Sequence, residues 1–318
     1  MSPLVAPSQV PYRIGTVKVC PKCKRRYVND GADVCPLDGG RLDDVGHPWI
    51  GSSIGQGYVI DQLVSESGLT SLFLARGAGQ PVMVEALRTH LAKNSRMRTR
   101  FLRGVSKAAQ LRHPSIVVTL ATGEDPEGVP YVVTEMVEGI PLSRLIETGP
   151  LGTDKTLTIG LAMAQTLEYA HGRGVIHRNL KPANVFVSDG PRGPTTKLTG
   201  FGIASAIGDE RMTGSGEVFG TPGYLAPEQA ASSEVSPRTD LYALGVILFE
   251  MITGRPPFEG GSQSLMIKHL MDPPPSARKI VRTCPPALEA LILHMMEKRP
   301  ADRPGDAGIV RQVLETIR

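Results

Sequence analysis

The sequence has neither a long hydrophobic run nor a large net charge, and each absence excludes a class of protein. Of its 318 residues, the most apolar stretch is 241–252, which is too short to cross a membrane as a helix and contains Glu250. The first residues show no basic segment followed by an apolar one, so we expect a soluble, cytoplasmic protein without a signal peptide. With 35 basic and 31 acidic side chains, the formal charge of +4 is too small to indicate nucleic-acid binding by the chain as a whole.

Cysteine is also scarce, and its placement argues against a disulfide framework. Three of the four cysteines, Cys20, Cys23 and Cys35, lie close together, whereas Cys284 is far away in the sequence. The segment around these three cysteines, 16–47, has too few apolar residues to fold by burial alone and needs a further stabilising link. This placement suits a metal site in a protein of the reducing cytoplasm.

The candidate metal ligands lie in two short turns. CPKC begins at Cys20 and CPLDGG begins at Cys35, a spacing that can bring four donors around one tetrahedral ion. The fourth donor is Asp38, whose carboxylate can bind zinc, or alternatively His47. The segment resembles a bacterial zinc ribbon with an aspartate at the last ligand position, which implies a structural Zn²⁺ held by Cys20, Cys23, Cys35 and Asp38.

Basic residues crowd the first of these turns. Lys22 and the run 24–26 are basic, but acidic residues follow closely and Tyr27 is the only aromatic residue of the segment. Nucleic-acid binding is therefore disfavoured, although a zinc-dependent nucleic-acid module stays an alternative function.

After the glycine-rich stretch 46–57 the hydrophobic pattern changes. GYVIDQLV, SLFLAR and PVMVEAL each fit a β-strand, and residues 94–112 fit a helix. Farther on, helical patterns dominate, and Thr153 or Asp154 can cap a helix that ends at Gly172 and Gly174. The predicted divisions are a flexible N-terminus (1–15), a zinc-ribbon-like unit (16–47), a linker (48–54), a small β-rich lobe (55–138) and a larger helical lobe (139–318).

Five motifs in the helical part point to one family. They are HRNLKPANV from His177, TGFG from Thr199, GTPGYLAPEQ from Gly220, DLYALGVILFEMITGRPPF from Asp240 and ADRP from Ala301. Together they resemble the eukaryotic-like, or Hanks-type, Ser/Thr protein kinases of bacteria over about residues 55–318. The resemblance implies an α+β, two-lobed protein-kinase-like fold, with a hinge at Glu135, Met136 and Val137.

Two positions on which phosphoryl transfer depends carry other residues. The family's catalytic-loop aspartate, which accepts the proton of the substrate hydroxyl, is here Asn179, and losing a general base costs on the order of 10²- to 10⁴-fold in rate. The family's Mg²⁺-binding aspartate is here Gly200, which offers no side-chain ligand. Lys181 and Asn184 of the same loop are retained.

The positions that contact the phosphates of ATP are changed as well. Alignment with the family places Glu85 at the phosphate-pairing lysine and Gly104 at the helix glutamate that pairs with that lysine. At ~4 Å and an effective dielectric constant of ~20, one charge pair is worth on the order of 4 kcal/mol, so reversing a charge is a strong effect. The glycine-rich loop is degenerate, and its positions are Ser65, Ser67, Gly68 and Thr70. We therefore expect impaired binding of ATP and Mg²⁺.

Other residues that organise the large lobe of the family are retained. His177 and Asp240 match positions that brace the catalytic loop, and Glu228 matches a residue that pairs with an arginine such as Arg303. Thr213, Ser215 and Thr221 lie where active relatives are switched by phosphorylation. We therefore expect the kinase fold to be retained although the residues for phosphoryl transfer are changed.

The stretch 86–123 carries charge of one sign. It contains eight basic residues and no acidic one; the basic residues are Arg88, Lys93, Arg96, Arg98, Arg100, Arg103, Lys107 and Arg112. A field of this kind can steer an acidic protein partner to the predicted helix.

These features lead to one main hypothesis and two alternatives. The main hypothesis is a pseudokinase that acts as a scaffold or allosteric regulator, with an active Ser/Thr kinase among its partners. The first alternative is an atypical or weakly active nucleotide-binding kinase or other transferase. The second is the zinc-dependent nucleic-acid module.

Overall fold

The computed structural model describes residues 16–23, 26–29, 33–44, 47–190, 193–207 and 221–317. The predicted flexible N-terminus and the predicted phosphorylation sites Thr213 and Ser215 lie outside these residues. The chain forms two compact units: the first contains the described residues up to Arg98 together with 119–136, and the second contains 99–118 and the residues from Val137 onward. None of the described helices is both long and apolar enough to span a membrane.

The first unit begins with a small antiparallel sheet next to the cysteines. Its strands, in the order β2-β1-β3, are β1 (Thr16–Val19), β2 (Arg26–Asn29) and β3 (Asp43–Asp44). Cys20, Cys35 and Leu42 are buried against one another. So small a core buries too little apolar area to hold a domain together without a further link.

A second antiparallel sheet, six-stranded within the described residues, forms most of the first unit. Its order is β4-β5-β6-β7-β9-β8. The strands are β4 (Ser53–Ile54), β5 (Tyr58–Glu66), β6 (Thr70–Gly77), β7 (Gln80–Leu87), β8 (Thr119–Glu124) and β9 (Pro130–Glu135). Strands β5, β6 and β7 correspond to the three strands predicted from the alternating pattern. A short helix, α1 (Thr89–Ala92), follows β7.

The segment before this sheet packs on it through aromatic rings. Trp49 stacks on Phe73 of β6 with ring centroids 5.5 Å apart, and it meets Tyr131 of β9 edge to face at 6.2 Å. Phe73 is completely buried. Aromatic pairs of this kind stabilise beyond the area that they bury, so part of the predicted linker is docked on the sheet.

Helix α2 (Ser95–Ala108) begins in the first unit and ends in the second. Asn94 caps it, because its side-chain oxygen accepts hydrogen bonds from the amides two and three residues farther on, at 3.0 and 3.3 Å. The helix ends four residues earlier than predicted. The amides of Gln110 and Leu111 bond to carbonyls three residues back, so the chain tightens into turns there.

The second unit is mainly helical. Its helices are α3 (Leu142–Glu147), α4 (Gly152–His171), α5 (Pro227–Ala230), α6 (Pro237–Thr253), α7 (Ser262–Met271), α8 (Pro286–Met295) and α9 (Ala307–Ile317). A small antiparallel sheet in the order β10-β11-β12 consists of β10 (Ile140–Pro141), β11 (Val185–Gly190) and β12 (Gly193–Leu198). Helix α6 is buried along almost its whole length and forms the centre of the core.

Helix α4 starts earlier than its predicted caps. It begins at Gly152, whose φ of +75° suits glycine, so Thr153 and Asp154 lie in the first turn and neither is the cap. Asp154 still favours the helix there, because a negative charge near the N-terminus complements the helix dipole. The predicted end is confirmed: the helix stops before Gly172, and Gly174 takes a left-handed conformation with φ of +66°.

A buried ion pair joins distant parts of the second unit. The guanidinium of Arg303 donates to both carboxylate oxygens of Glu228, at 2.8 and 2.7 Å, and both side chains are at most 5% exposed. The same guanidinium donates to the carbonyls of Arg238, Glu297 and Lys298. Because its donors and the carboxylate are all satisfied, this pair is of the kind whose disruption is costly.

We predict that Arg303→Ala lowers the free energy of unfolding by about 3–5 kcal/mol, because the charge of Glu228 then stays buried without a partner. The matched control is Arg299→Ala, which removes an exposed pair with Asp302 and should cost less than about 1 kcal/mol. Denaturant unfolding followed by circular dichroism measures both effects. Equal losses in the two variants would contradict the prediction.

Candidate functional site

The loop 177–184 is held in place by one buried carboxylate. Asp240, in the first turn of α6, accepts hydrogen bonds from the backbone amides of His177 and Arg178, both at 2.8 Å, and lies 2.8 Å from Nε2 of His171. Burial opposes its ionisation, but the hydrogen bond and charge of His171 outweigh burial and hold the pKa of Asp240 below its ordinary value. A charged carboxylate therefore anchors this loop.

His177 braces the loop from the other side as a neutral imidazole. Its Nδ1 accepts a hydrogen bond from the amide of Asn179 at 3.3 Å, and its Nε2 donates to the carbonyl of Thr199 at 2.8 Å. Burial lowers the pKa of His177, in agreement with this neutral form. Its ring also packs against Phe201, with centroids 4.5 Å apart, so the loop and the segment after β12 are joined.

The retained polar residues of the loop form hydrogen bonds with other residues of the second unit. The side-chain amide of Asn184 donates to the carbonyl of Asn179 at 2.9 Å, and Nζ of Lys181 donates to the hydroxyl of Thr221 at 3.0 Å. The side chain of Asn179 is an amide and has no useful basicity. Thr221, which lies where active relatives are switched by phosphorylation, is the hydrogen-bond partner of a lysine here.

Gly200 fits a backbone shape that favours glycine. Its φ is +85°, and a Cβ at this position would lie 3.3 Å from Nδ2 of Asn184. An aspartate here would be strained in this conformation and would push on the asparagine. The position supplies no side-chain oxygen for Mg²⁺, so the residues present do not fit the metal as the family holds it.

Gly104 makes an unusually close backbone contact with Gly202. A Cβ on Gly104 would lie 2.2 Å from the carbonyl oxygen of Gly202 and 2.7 Å from Cβ of Ser205, and a Cβ on Gly202 would lie 2.3 Å from the carbonyl oxygen of Gly104. All three residues belong to the second unit. Helix α2 and the turn after Phe201 can approach this closely only because both residues are glycine. Gly104 is thus a packing residue, and a glutamate does not fit with this backbone.

In the first unit, Glu85 is bonded to the strand beside it. The hydroxyl of Thr70 donates to Oε1 of Glu85 at 2.6 Å, across the pairing of β6 with β7. Thr70 is one of the degenerate glycine-rich-loop positions. The threonine at a changed position of the glycine-rich loop is therefore hydrogen-bonded to the glutamate that stands at the lysine position.

In the turn between β5 and β6, backbone amides form hydrogen bonds within the turn itself. The hydroxyl of Ser67 accepts hydrogen bonds from the amides of Leu69 and Thr70, at 3.2 and 2.9 Å, and the amide of Ser67 donates to the carbonyl of Thr70 at 2.8 Å. Gly68 lies in this turn, and Ser65 lies in β5. Amides that would otherwise be available to phosphate oxygens are engaged by a side chain.

The four predicted metal ligands come together. One ligand atom from each of Cys20, Cys23, Cys35 and Asp38 lies within 4.8 Å of the others. The sulfurs of Cys23 and Cys35 are 3.7 Å apart, and both carboxylate oxygens of Asp38 are 3.3 Å from the sulfur of Cys20. Two sulfurs bound tetrahedrally at about 2.3 Å from one Zn²⁺ are about 3.8 Å apart, so the donor set fits zinc.

The fourth member of this cluster is Asp38, whereas the alternative candidate, His47, packs among aromatic rings. The ring of His47 packs against Phe73 and Trp49, with centroids 4.7 and 6.3 Å apart. Asp38 is oriented by the amide of Gly40, which donates to its Oδ1 at 2.9 Å. A Cβ on Gly40 would lie only 2.9 Å from the same oxygen, so glycine is needed there.

The sequence analysis missed two glycines that shape these places, Gly202 and Gly40, and it named Ser67 only as a changed position of the glycine-rich loop. Each of the three acts through a close contact or a hydrogen bond that its residue type alone does not reveal. The predicted hinge residues Glu135 and Met136 end the first unit, and Val137 begins the second.

Known proteins resemble this chain over most of its length. Residues 65–316 match the family model described as the protein kinase domain. The chain is 36% identical over 280 residues to the serine/threonine-protein kinase pkn3 of Myxococcus xanthus, a match that covers 85% of this chain and 51% of that protein. It is 36% identical over 277 residues to the serine/threonine-protein kinase PknB of Mycobacterium tuberculosis, covering 84% of this chain and 44% of that protein.

A solved structure agrees with these relatives. The crystal structure of the PknI kinase domain of Mycobacterium tuberculosis matches with a TM-score of 0.66 and 25% identity, over 84% of this chain and 99% of that one. The chain spans about half or less of the length of the curated relatives named above. The predicted α+β protein-kinase fold, with a β-sheet lobe and a helical lobe, is confirmed, and the chain belongs to the protein kinase family.

Proposed function

We propose that this chain is a pseudokinase, a member of the family that transfers little or no phosphate and acts as a scaffold or allosteric regulator in signalling. The observation that carries the proposal is Glu85. A carboxylate stands where the family pairs a lysine with the phosphates of ATP, and it is held in place by Thr70. Phosphate oxygens are repelled by a carboxylate, so the substitution opposes nucleotide binding as well as catalysis.

The turn before β6 supports the same proposal. Its amides bond to the hydroxyl of Ser67, so phosphate binding would require those hydrogen bonds to break. A loop that satisfies its own amides has no preformed cradle for an anion.

The second unit supports it independently. Asn179 cannot accept the proton of a substrate hydroxyl, and Gly200 cannot hold Mg²⁺ with a side chain. Phosphoryl transfer depends on positioning and charge neutralisation, and both are weakened here. What the second unit keeps is the set of contacts that maintain its fold, such as those of Asp240.

The zinc-ribbon-like segment gives the protein a second structural part. We propose that Cys20, Cys23, Cys35 and Asp38 bind one Zn²⁺ whose role is to fold the segment. Three thiols and a carboxylate close the coordination shell, which is typical of structural rather than catalytic zinc. The thiols must stay reduced to bind, which agrees with the expected cytoplasmic location.

We predict that the purified chain transfers no phosphate to itself or to a generic substrate, with Mg²⁺ or Mn²⁺. The control is the double variant Lys181→Ala/Asn184→Ala, which should give the same background signal. Millimolar ATP should not raise the melting temperature, whereas a ligand at ~100 times its dissociation constant adds about 2.7 kcal/mol to stability. Transfer that disappears in the double variant would overturn the proposal in favour of a weakly active kinase.

We predict that Gly104→Ala lowers the free energy of unfolding by about 1–3 kcal/mol, because the added methyl overlaps the carbonyl of Gly202. In an ordinary helix interior the same change stabilises by roughly 0.5–1 kcal/mol, so the sign is diagnostic. Gly223→Ala, where a Cβ meets nothing within 4 Å and φ is not positive, serves as control and should be neutral or stabilising by up to about 1 kcal/mol. A stabilised Gly104→Ala variant would show that the close contact does not exist in solution.

We predict one zinc ion per chain in protein purified without chelator, measured by mass spectrometry of the metal. Asp38→Ala and Cys20→Ser should lower the zinc content and loosen the segment 16–44, because each removes a ligand from a site that supplies folding energy. His47→Ala should retain full zinc content. Loss of zinc in His47→Ala with retention in Asp38→Ala would instead assign the fourth ligand to the histidine.

A further inference from the structure

Four exposed basic side chains of the second unit lie on α2, just after it and at the end of α4. We call this group the basic surface; it consists of Arg103, Lys107, Arg112 and Arg173, all of them exposed. Arg103 and Lys107 are four residues apart on α2 and therefore lie on one face of that helix.

Specific contacts join the end of α2 to the end of α4. Nζ of Lys107 donates to the carbonyl of Gly174 at 2.6 Å, and the amide of Arg112 donates to the hydroxyl of Tyr169 at 2.9 Å. The guanidinium of Arg173 lies over the ring of the same tyrosine, 3.7 Å from its centroid. These contacts place Lys107, Arg112 and Arg173 at the end of α4, and Arg103 lies about one helical turn before Lys107 on α2.

The basic surface lacks compensating acid. Among the described residues, none of its four side chains forms an ion pair, whereas Arg311 of the same unit pairs with Glu168 at 2.8 Å. Glu168, the acidic residue near the end of α4, is therefore paired with Arg311 and with no residue of the basic surface. The sequence has no acidic residue from 86 to 123, so α2 itself supplies none.

Contacts with backbone carbonyls hold three of these cations in place but leave their charges without a counter-ion. In addition to the bond of Lys107, the guanidinium of Arg112 donates to the carbonyls of Ala109 and Leu111, and that of Arg173 donates to the carbonyl of Tyr169. Carbonyl oxygens carry no net charge, and like charges four residues apart on a helix repel each other. A group of exposed cations without acid among the described residues suits an anionic partner.

We propose that the basic surface binds an acidic polypeptide segment, a run of Asp and Glu side chains on a partner protein. Arginine forks bind carboxylates in a bidentate manner, and three of the four residues are arginine. Single-stranded nucleic acid would need an exposed aromatic ring for base stacking, but the ring of Tyr169 is covered by Arg173. None of the four residues of the basic surface is itself a substituted catalytic residue. This inference therefore goes beyond the proposed function and does not depend on whether the chain transfers phosphate.

The test measures binding of a fluorescently labelled Asp/Glu peptide of about ten residues to the full chain by anisotropy. Arg103→Glu is the informative variant, because this side chain is exposed and forms no ion pair with the residues that the structure describes. We expect the dissociation constant to rise about ten-fold or more, and wild-type binding to weaken as salt is added. Arg282→Glu makes the same charge change at another exposed position of the second unit and should leave binding unchanged.

Three results would overturn the proposal. They are absence of peptide binding by the wild-type chain at low salt, equal weakening by Arg103→Glu and Arg282→Glu, and tighter binding of a single-stranded oligonucleotide that Arg103→Glu weakens. The circular dichroism spectrum and melting temperature of each variant establish that it is folded. Arg103→Ala provides a milder change of the same kind, with a smaller expected loss of affinity in the same direction.

Discussion

The second unit depends on the buried carboxylate of Asp240. It sits in the first turn of α6, the helix at the centre of the core, and it accepts two backbone amides and bonds to one imidazole from the loop that follows α4. A charge buried in this way is stable only if donors converge on it, and the donors in turn lose their positions without it. The loop is therefore fixed by contacts that take no part in phosphoryl transfer. A kinase fold can in this way keep the shape of its catalytic loop whichever residues stand at the catalytic positions.

The substituted positions are integrated into local structure rather than left as gaps. Glu85 is bonded to Thr70, and the amides of the neighbouring turn are satisfied by Ser67. Gly104 and Gly202 allow two backbones to meet at a distance that no larger residue permits. At these positions the residues present therefore take part in the local hydrogen bonding and packing. A side chain larger than glycine at Gly104 would overlap the carbonyl of Gly202.

Two features of the molecule are separate from the substituted catalytic residues. The cluster of three cysteines and Asp38 lies in a segment whose core is very small. The basic surface on α2 and at the end of α4 concentrates positive charge without acidic partners among the described residues. Both features suit a protein that works through binding: one stabilises an added segment, and the other attracts a partner of opposite charge.

The sequence by itself determined the kinase family, the strands β5 to β7, the end of α4 and the three cysteines of the cluster, because short motifs and hydrophobic periods depend on neighbours along the chain. It left two candidates for the fourth member, and only the structure placed Asp38 beside the three sulfurs. It identified Gly104 as a lost glutamate, whereas its contact with Gly202 makes it a packing residue. It placed the cap of α4 at Thr153 or Asp154, one or two residues after the observed start of the helix. Tertiary structure decided these points because backbone approach and hydrogen-bond direction arise between segments that the sequence does not show to be adjacent.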